Sequence, residues 1–224
     1  MSRILTLARR ARLTLTQAQA ERLDALADLL RHTNARINLI ARTDVQNVEE
    51  RHVLHCLALT RRAFPAGSTV VDWGTGGGLP LLPLAICNPD VAFVGVDAVE
   101  KKTLAVKAMA RTLGLTNVET WHGRAEAFRA PHTHSVSRAT APMATLWSWH
   151  APAAVDGTHE AGEWPAGLVV LKGGDLTDER ADLERQAPGV RIAAQPVGLP
   201  GAYFADKHIV TVTATGGDES GETA

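Results

Sequence analysis

Apolar positions follow two different patterns along this chain, and the pattern changes near residue 67. Over residues 1–66 they recur at helical spacing, and one helical face is formed by Leu23, Leu26, Ala27 and Leu30. Thr16, followed three residues later by Gln19, has the spacing of a capping box at the start of this helix. A second helix is predicted to begin near position 44 or 47 and to run towards position 64. Residues 1–66 are therefore predicted to form a helical extension.

From Thr69 onwards, short apolar runs alternate with runs of helical periodicity. Such alternation predicts a mostly parallel sheet with right-handed crossovers, and the last two strands have the spacing of a closing pair. The predicted strands are Thr69–Asp72, Val91–Asp97, Val118–Trp121, Ser135–Ala139, Leu168–Leu171, Val190–Pro196 and Lys207–Thr213. The predicted helices are Pro80–Cys87, Glu100–Leu113, one through Leu146–His150, and Asp178–Gln186. The acidic, polar segment 215–224 is predicted to be a disordered tail.

The first strand leads directly into a glycine-rich turn with the sequence DWGTGGGLP. A strand, a glycine turn and a helix in this order form a nucleotide-binding unit, because glycines let the backbone approach a ligand closely. A dinucleotide fingerprint would need glycine where Leu79 stands, and a P-loop would end in Gly-Lys-Ser/Thr. The acid Asp72 repels phosphate and suits a cationic ligand such as S-adenosylmethionine. The alternative is a glycine-rich turn that holds no ligand.

Charged residues mark the ends of several predicted strands, where ligands bind in doubly wound sheets: Asp72, Asp97, Glu126, Arg138 and Lys172. The position of Asp97 suits a role in which its carboxylate accepts hydrogen bonds from ribose hydroxyls. The alternative is that Asp97 caps the next helix. Glu126 is expected either to approach the adenine ring of the ligand or to be an ordinary surface residue without a role in binding. Arg138, within a run of small and apolar residues, needs an anionic or polar partner. Arg138 and Lys172 could each instead pair with a neighbouring acid at the sheet edge.

Composition narrows the class of protein. The net charge of −1 excludes a global field that would attract a polyanion, so a nucleic-acid contact needs a local basic patch. Cys56 and Cys87 form no C-x-x-C motif, which fits a reduced cytoplasmic protein. We expect no membrane span, no signal peptide and no metal site, because no long apolar run, cleavage signal or zinc-ligand spacing occurs. A hydrolase elbow, G-x-S-x-G, is absent from the sequence.

Several of these motifs together resemble the bacterial small-subunit rRNA guanine-N7 methyltransferases. The resemblance covers about residues 38–213 and rests on Asn38-Leu39, ERHVLHCL (50–57), DWGTGGGLPLLPLAI (72–86), Asp97 with Lys101-Lys102, Ser137-Arg138-Ala139 and Leu171-Lys172-Gly173-Gly174. The combination of G-T-G-x-G-[FL]-P with a later S-R-A is far more specific than a lone glycine motif. The chain departs from the family pattern at Trp73, at Leu81 and Leu82, and at His55 and Cys56.

The resemblance implies an α/β, Rossmann-like class I methyltransferase fold: a mostly parallel seven-stranded sheet with an antiparallel closing strand, preceded by the helical extension. The implied methyltransferase domain is 67–214. The implied cofactor is S-adenosylmethionine, and the predicted binding residues are Asp72, Gly74, Gly76, Gly78, Leu79, Asp97, Ala125, Glu126 and Arg138. The implied substrate is one guanine in the decoding-region loop of 16S rRNA, in the 30S subunit or an assembly intermediate. We expect a cytoplasmic monomer.

The implied chemistry needs little from protein side chains. Guanine N7 is an acceptor without a proton, so its methylation needs no general base, and the task is orientation. Arg138 is the candidate catalytic residue. The candidates for contact with RNA are Arg51, His52, Lys101, Lys102 and Lys172. Two alternatives stay open: a methyltransferase acting on a small molecule or protein, and a noncatalytic ribosome assembly factor.

Overall fold

Seven strands form one mixed sheet in this computed structural model, which describes residues 2–215. Their bounds are β1 Thr69–Trp73, β2 Ala92–Asp97, β3 Val118–His122, β4 His134–Arg138, β5 Gly167–Gly173, β6 Val190–Pro196 and β7 Lys207–Ala214. The spatial order is β3-β2-β1-β4-β5-β7-β6. The first five strands pair in parallel, and β7 lies antiparallel between β5 and β6. The predicted mixed, seven-stranded sheet is therefore confirmed.

Apolar runs place β1, β4 and β5 at the centre of the sheet, where helices cover both faces. Val70, Val136 and Val169 are completely buried, whereas most of the edge strand β6 is exposed. The order reverses at β1, because β2 lies on one side of it and β4 on the other. This switch point opens a crevice at the carboxyl ends of the strands.

The helices are α1 Arg3–Arg10, α2 Gln17–Asn34, α3 His55–Leu57, α4 Leu81–Cys87, α5 Glu100–Thr112, α6 Met143–His150 and α7 Thr177–Gln186. The capping box of α2 is confirmed. Gln19 N donates to Thr16 Oγ1 at 3.2 Å, and Thr16 N donates to Gln19 Oε1 at 2.8 Å. These two bonds satisfy backbone groups that the first helical turn leaves unpaired.

The single helix predicted between positions 44 and 64 is wrong in type. The segment runs as a 3₁₀-helix (Arg42–Asn47), a π-helix (Val48–Leu54), the short α3 and a second 3₁₀-helix (Ala58–Arg61). Most side chains of the π-helix are buried, and the segment packs against α1 and α2. π-Helical turns are rare in proteins, and many of those that occur lie at functional sites.

Two apolar clusters fill the space on either side of the sheet. The larger cluster joins Leu23, Leu26 and Leu30 of α2 to Val70 and Phe93 of the sheet. The smaller cluster lies on the opposite face and contains Trp73, Phe128, Met143, Leu183 and Val212. The helices of residues 1–66 thus share a core with the sheet. The division into an extension and a methyltransferase domain stays a prediction, and positions 216–224 of the predicted tail lie outside the described residues.

None of the helices between residues 2 and 215 is long and apolar enough to cross a membrane. The same part of the chain contains no group of three or more histidine, cysteine or acidic side chains arranged to hold a metal ion.

Candidate functional site

A cavity of about 590 Å³ opens at the switch point, at the carboxyl ends of β1, β2 and β4. One wall is the glycine turn, with Gly74, Gly76 and Leu79 at its surface. The opposite wall is the turn that contains Ala125 and Glu126. The loop from Leu39 to Ala41 and the end of β4 complete the cavity. Chain segments distant in sequence therefore meet at one place.

The glycine turn needs glycine for two separate reasons. Gly74, Gly76 and Gly78 have φ values of +65°, +55° and +79°, which side chains disfavour. A Cβ atom on Gly74 would also lie 2.2 Å from Thr140 Cγ2. A Cβ atom on Gly78 would lie 2.7 Å from Leu82 Cδ1, so Gly78 faces the core and does not line the cavity.

Asp97 ties the end of β2 to the glycine turn. Its Oδ2 accepts from Gly76 N at 3.0 Å, and its Oδ1 accepts from Val99 N at 2.9 Å. The alternative that Asp97 caps the next helix is wrong, because the residue at the N-cap of α5 is Val99 and no side chain caps this helix. The first bond fixes the turn that lines the cavity. Each carboxylate oxygen can accept a second hydrogen bond. Asp97 thus shapes the cavity and still offers acceptors to a ligand.

Asp72 supports the turn from beneath and does not line the cavity. Its side chain is completely buried, and Oδ2 accepts from Leu81 N at 3.3 Å, at the start of α4. Burial raises the pKa of this carboxyl group to about 7. Trp73 is likewise fully buried and packs on Phe128 and Trp149. The structure therefore separates Asp72 from the other predicted cofactor-binding residues, most of which line the cavity.

Arg138 reaches the cavity from the end of β4. Its Nη2 donates to His52 Nδ1 at 3.0 Å, and its Nε is a buried donor without an acceptor among residues 2–215. The chain turns sharply after it, at Ala139, whose φ of +56° costs about 1 kcal/mol in a residue other than glycine. Thr140 Oγ1 then donates to Gly74 O at 3.3 Å. These contacts hold the end of β4 against the glycine turn.

The five candidates for RNA contact lie in different environments. Lys101 is exposed, and Lys102 lines the cavity. Arg51 pairs with Asp44 at 3.0 Å and lies over the Tyr203 ring. Lys172 Nζ donates to Glu179 Oε2 at 2.7 Å and to Ala141 O at 2.6 Å, as in the ion-pair alternative.

His52 is only 6% exposed, and its ring is held between Arg138 and Asp44. Burial, reinforced by the charge of Arg138, lowers the pKa of His52 to about 4. The ring is thus neutral at pH 7.

Several cavity residues were not among the predicted site residues: Asp44, Thr140 and the loop 39–41, of which only Leu39 belonged to a recognised motif. This loop is positioned by Asn34, the last residue of α2. Asn34 Oδ1 accepts from Leu39 N at 2.8 Å and from Ile40 N at 3.0 Å. A buried asparagine at a helix end is a signal for such a contact, but its partner is visible only in the fold.

The cavity fits S-adenosylmethionine in its chemistry. Its glycine wall carries no lysine for a phosphate, and the acids Asp44, Asp97 and Glu126 suit a ligand with an ammonium, a sulfonium and ribose hydroxyls. Arg138, which lines the cavity, suits the ligand's carboxylate because a guanidinium donates charge-assisted hydrogen bonds.

Two solved structures share the fold of this chain. A SAM-dependent methyltransferase from Aquifex aeolicus superposes with a TM-score of 0.52 at 15% identity, over 77% of this chain and 98% of that one. A fibrillarin/Nop5p complex gives 0.54 at 10% identity, over 71% and 80%. At these identities the likeness concerns the fold alone. The sheet order and the cavity at its switch point together define the class I methyltransferase fold.

Sequence relatives identify the family within this class. A family model described as rRNA small subunit methyltransferase G matches residues 19–188. Ribosomal RNA small subunit methyltransferase G of Salinibacter ruber is 50% identical over 203 residues, which cover 89% of this chain and 94% of the relative. The protein of the same name from Christiangramia forsetii is 38% identical over 170 residues, covering 75% and 79%. The chain belongs to the rRNA small subunit methyltransferase G family, as its motifs predicted.

Proposed function

We propose that this protein transfers the methyl group of S-adenosylmethionine to N7 of one guanine in the decoding-region loop of 16S rRNA. One observation carries the proposal: a chain of this family has a glycine-walled cavity of about 590 Å³ at the switch point of its sheet. When bound, S-adenosylmethionine supplies an electrophilic methyl group. In our proposal the cofactor is held by Gly74, Gly76, Leu79, Asp97, Ala125, Glu126 and Arg138, while Asp72 and Gly78 support the turn from behind.

The residues around the cavity suit a reaction that needs orientation and no proton removal. Guanine N7 has an accessible lone pair and no proton. His52, the histidine of the cavity wall, is a poor base because its pKa is lowered to about 4 and its Nδ1 already accepts from Arg138. Methylation at carbon commonly uses a cysteine, but Cys56 and Cys87 lie outside the cavity lining, and burial raises their thiol pKa values to about 12. Placement of the base therefore accounts for the catalysis that we propose.

Unpaired cations surround the cavity and are our proposed contacts for RNA phosphates. Lys102 and Arg124 line the cavity, and Lys101 precedes Lys102 on the first turn of α5. Arg36 and Arg42 flank the cavity loop and are exposed. Within residues 2–215 none of these five side chains forms an ion pair. Free cations at a cavity mouth suit a phosphate backbone better than Arg51 or Lys172, whose charges are already matched.

The proposal extends to the setting of the reaction. We propose that the protein acts as a monomer. We propose the cytoplasm as its location, with 16S rRNA in the 30S subunit or an assembly intermediate as its substrate.

Labelled methyl transfer to 30S subunits that lack the modification tests the function. We expect incorporation at a single guanine, and primer extension after cleavage at 7-methylguanine maps it. Naked 16S rRNA and late assembly intermediates, assayed in parallel, identify the true substrate. Calorimetry with S-adenosylhomocysteine separates the alternatives, because an assembly factor would co-sediment with subunits without binding this compound. If the protein binds S-adenosylhomocysteine but transfers the labelled methyl group to a protein or a small molecule, the result favours a methyltransferase with that other kind of substrate. Near-normal transfer by Arg138→Ala would remove Arg138 from the mechanism.

A further inference from the structure

A hydrogen bond links the helical extension to the cavity wall through His52 and Arg138. These residues are 86 positions apart, and Arg138 Nη2 donates to His52 Nδ1 at 3.0 Å. His52 lies in the π-helical turn Val48–Leu54 and is only 6% exposed. The ring therefore forms part of the cavity wall, where it meets a guanidinium and exposes too little surface to bind a phosphate backbone.

The contact fixes the protonation state of His52. A guanidinium can only donate, so Nδ1 must accept and the ring proton must reside on Nε2. Nε2 lies 3.7 Å from Asp44 Oδ2, too far for a good hydrogen bond but close enough for the carboxylate to favour an N–H at that position. Neutral His52 is the form that can accept from Arg138, and burial favours this form.

Arg138 has little else to fix its orientation. Within residues 2–215 its guanidinium makes this one side-chain hydrogen bond, while Nε is buried without an acceptor. A free arginine side chain samples many rotamers, and ordering it on ligand binding costs entropy. A histidine acceptor that is locked by its own packing supplies the missing constraint.

We propose that His52 is a positioning residue that holds Arg138 in the orientation used for binding and methyl transfer, with Asp44 favouring the required tautomer. This inference rests on the proposed function, in which Arg138 helps to hold the cofactor. It assigns His52 no direct contact with RNA. The kinetic or binding parameter that Arg138 controls must therefore also respond to His52.

A set of variants separates positioning from structural support. His52→Asn keeps an acceptor near the Nδ1 position, whereas His52→Leu removes it. His55→Leu is the matched control: His55 is 4% exposed in the adjoining turn, and its ring nitrogens have no partner among the described residues. Arg138→Ala and the double variant His52→Leu/Arg138→Ala complete a double-mutant cycle. For each protein we measure the Kd of S-adenosylhomocysteine, kcat and KM on 30S subunits, the affinity for 16S rRNA and the Tm.

We expect His52→Leu to change the same parameter as Arg138→Ala, by on the order of tenfold, a typical coupling between contacting residues. His52→Asn should recover most of this loss, His55→Leu should match the wild type, and the double variant should be no worse than Arg138→Ala. Three results would overturn the inference. The losses of His52→Leu and Arg138→Ala could add in the double variant, or His52→Asn could lose as much as His52→Leu. The third is that the loss in His52→Leu is confined to the affinity for RNA. No methyl transfer by the wild type would instead refute the proposed function.

If His52→Leu fails to fold, the wild-type protein provides a direct test. Long-range ¹H–¹⁵N correlation of its histidine rings reports which nitrogen of His52 carries the proton. The inference requires protonation at Nε2, with loss of the hydrogen-bonded Nδ1 signature in Arg138→Ala. A proton on Nδ1 would contradict it without any assay of activity.

Discussion

Replacing Asn34 by alanine tests how the helical extension shapes the cavity. Asn34 is 6% exposed, and its Oδ1 accepts two backbone N–H groups, from Leu39 and Ile40, at 2.8 and 3.0 Å. Alanine removes both bonds and leaves a buried donor at Ile40. At about 1–1.5 kcal/mol for each bond, the loss in the free energy of unfolding is about 2–3 kcal/mol. For a chain of this size, that corresponds to a Tm lower by about 5–10 °C.

The same change should weaken ligand binding, because the loop that Asn34 positions lines the cavity from Leu39 to Ala41. Asn34→Asp is the matched control: its carboxylate keeps both bonds and loses about 0.3–1 kcal/mol from a negative charge at a helix C-terminus. Urea unfolding gives the stabilities, and calorimetry with S-adenosylhomocysteine gives the affinities. We expect Asn34→Ala to lose both stability and ligand affinity, and Asn34→Asp to lose little of either. A loss below about 0.5 kcal/mol for Ala would refute the claim that this side chain holds the loop.

Three further predictions concern the turn, the core and the surface. Gly74→Ala should cost more stability and ligand affinity than Gly114→Ala, because both have positive φ but only the first brings Cβ within 2.2 Å of a neighbouring threonine; equal losses in urea unfolding would show that backbone strain alone matters. Burial lowers the pKa of His150 to about 3 in the folded protein, whereas the ordinary value of 6.5 applies in the unfolded chain. As the pH falls below 6.5, the unfolded chain therefore takes up this proton before the folded protein does. Down to about pH 3, stability should therefore fall by about 1.4 kcal/mol per pH unit through this residue, and His150→Phe should flatten the curve by that amount. Lys102→Ala should reduce the salt dependence of rRNA binding by about 0.7 in log–log slope, whereas Lys172→Ala, which removes an ion-paired charge, should leave the slope unchanged; filter binding at several salt concentrations distinguishes the two.

The glycine turn and the strand-end residues were predictable because their signals are local. A glycine at positive φ, an acid at a strand end and an alternation of strands and helices are each constrained within a few residues. Asp97 and Arg138 could be chosen in this way, and both line the cavity. The capping box at Thr16 was equally readable, since both of its bonds join residues three apart.

The pitch of the segment around His52 was not predictable in this way. Its sequence shows helical periodicity, but an extra residue per turn depends on neighbours that enclose the segment on several sides. The neutralisation of the Lys172 charge was not predictable for the same reason. Its partner Glu179 lies on the following helix and pairs with it only when α7 packs on the sheet. Strand ends indicate where charges lie, and packing decides which of them are neutralised.

The sequence by itself determined the family, the class of sheet and the turn at its centre, since these depend on short motifs and local periodicity. Only the tertiary structure decided that Asp72 supports the turn from beneath, that Asn34 holds the cavity loop, and that His52 meets Arg138. The physical reason is that these contacts join backbone and side-chain groups brought together when the helical extension and the sheet bury a shared apolar core. Their hydrogen bonds follow from that burial, and no pattern in the sequence specifies them in advance.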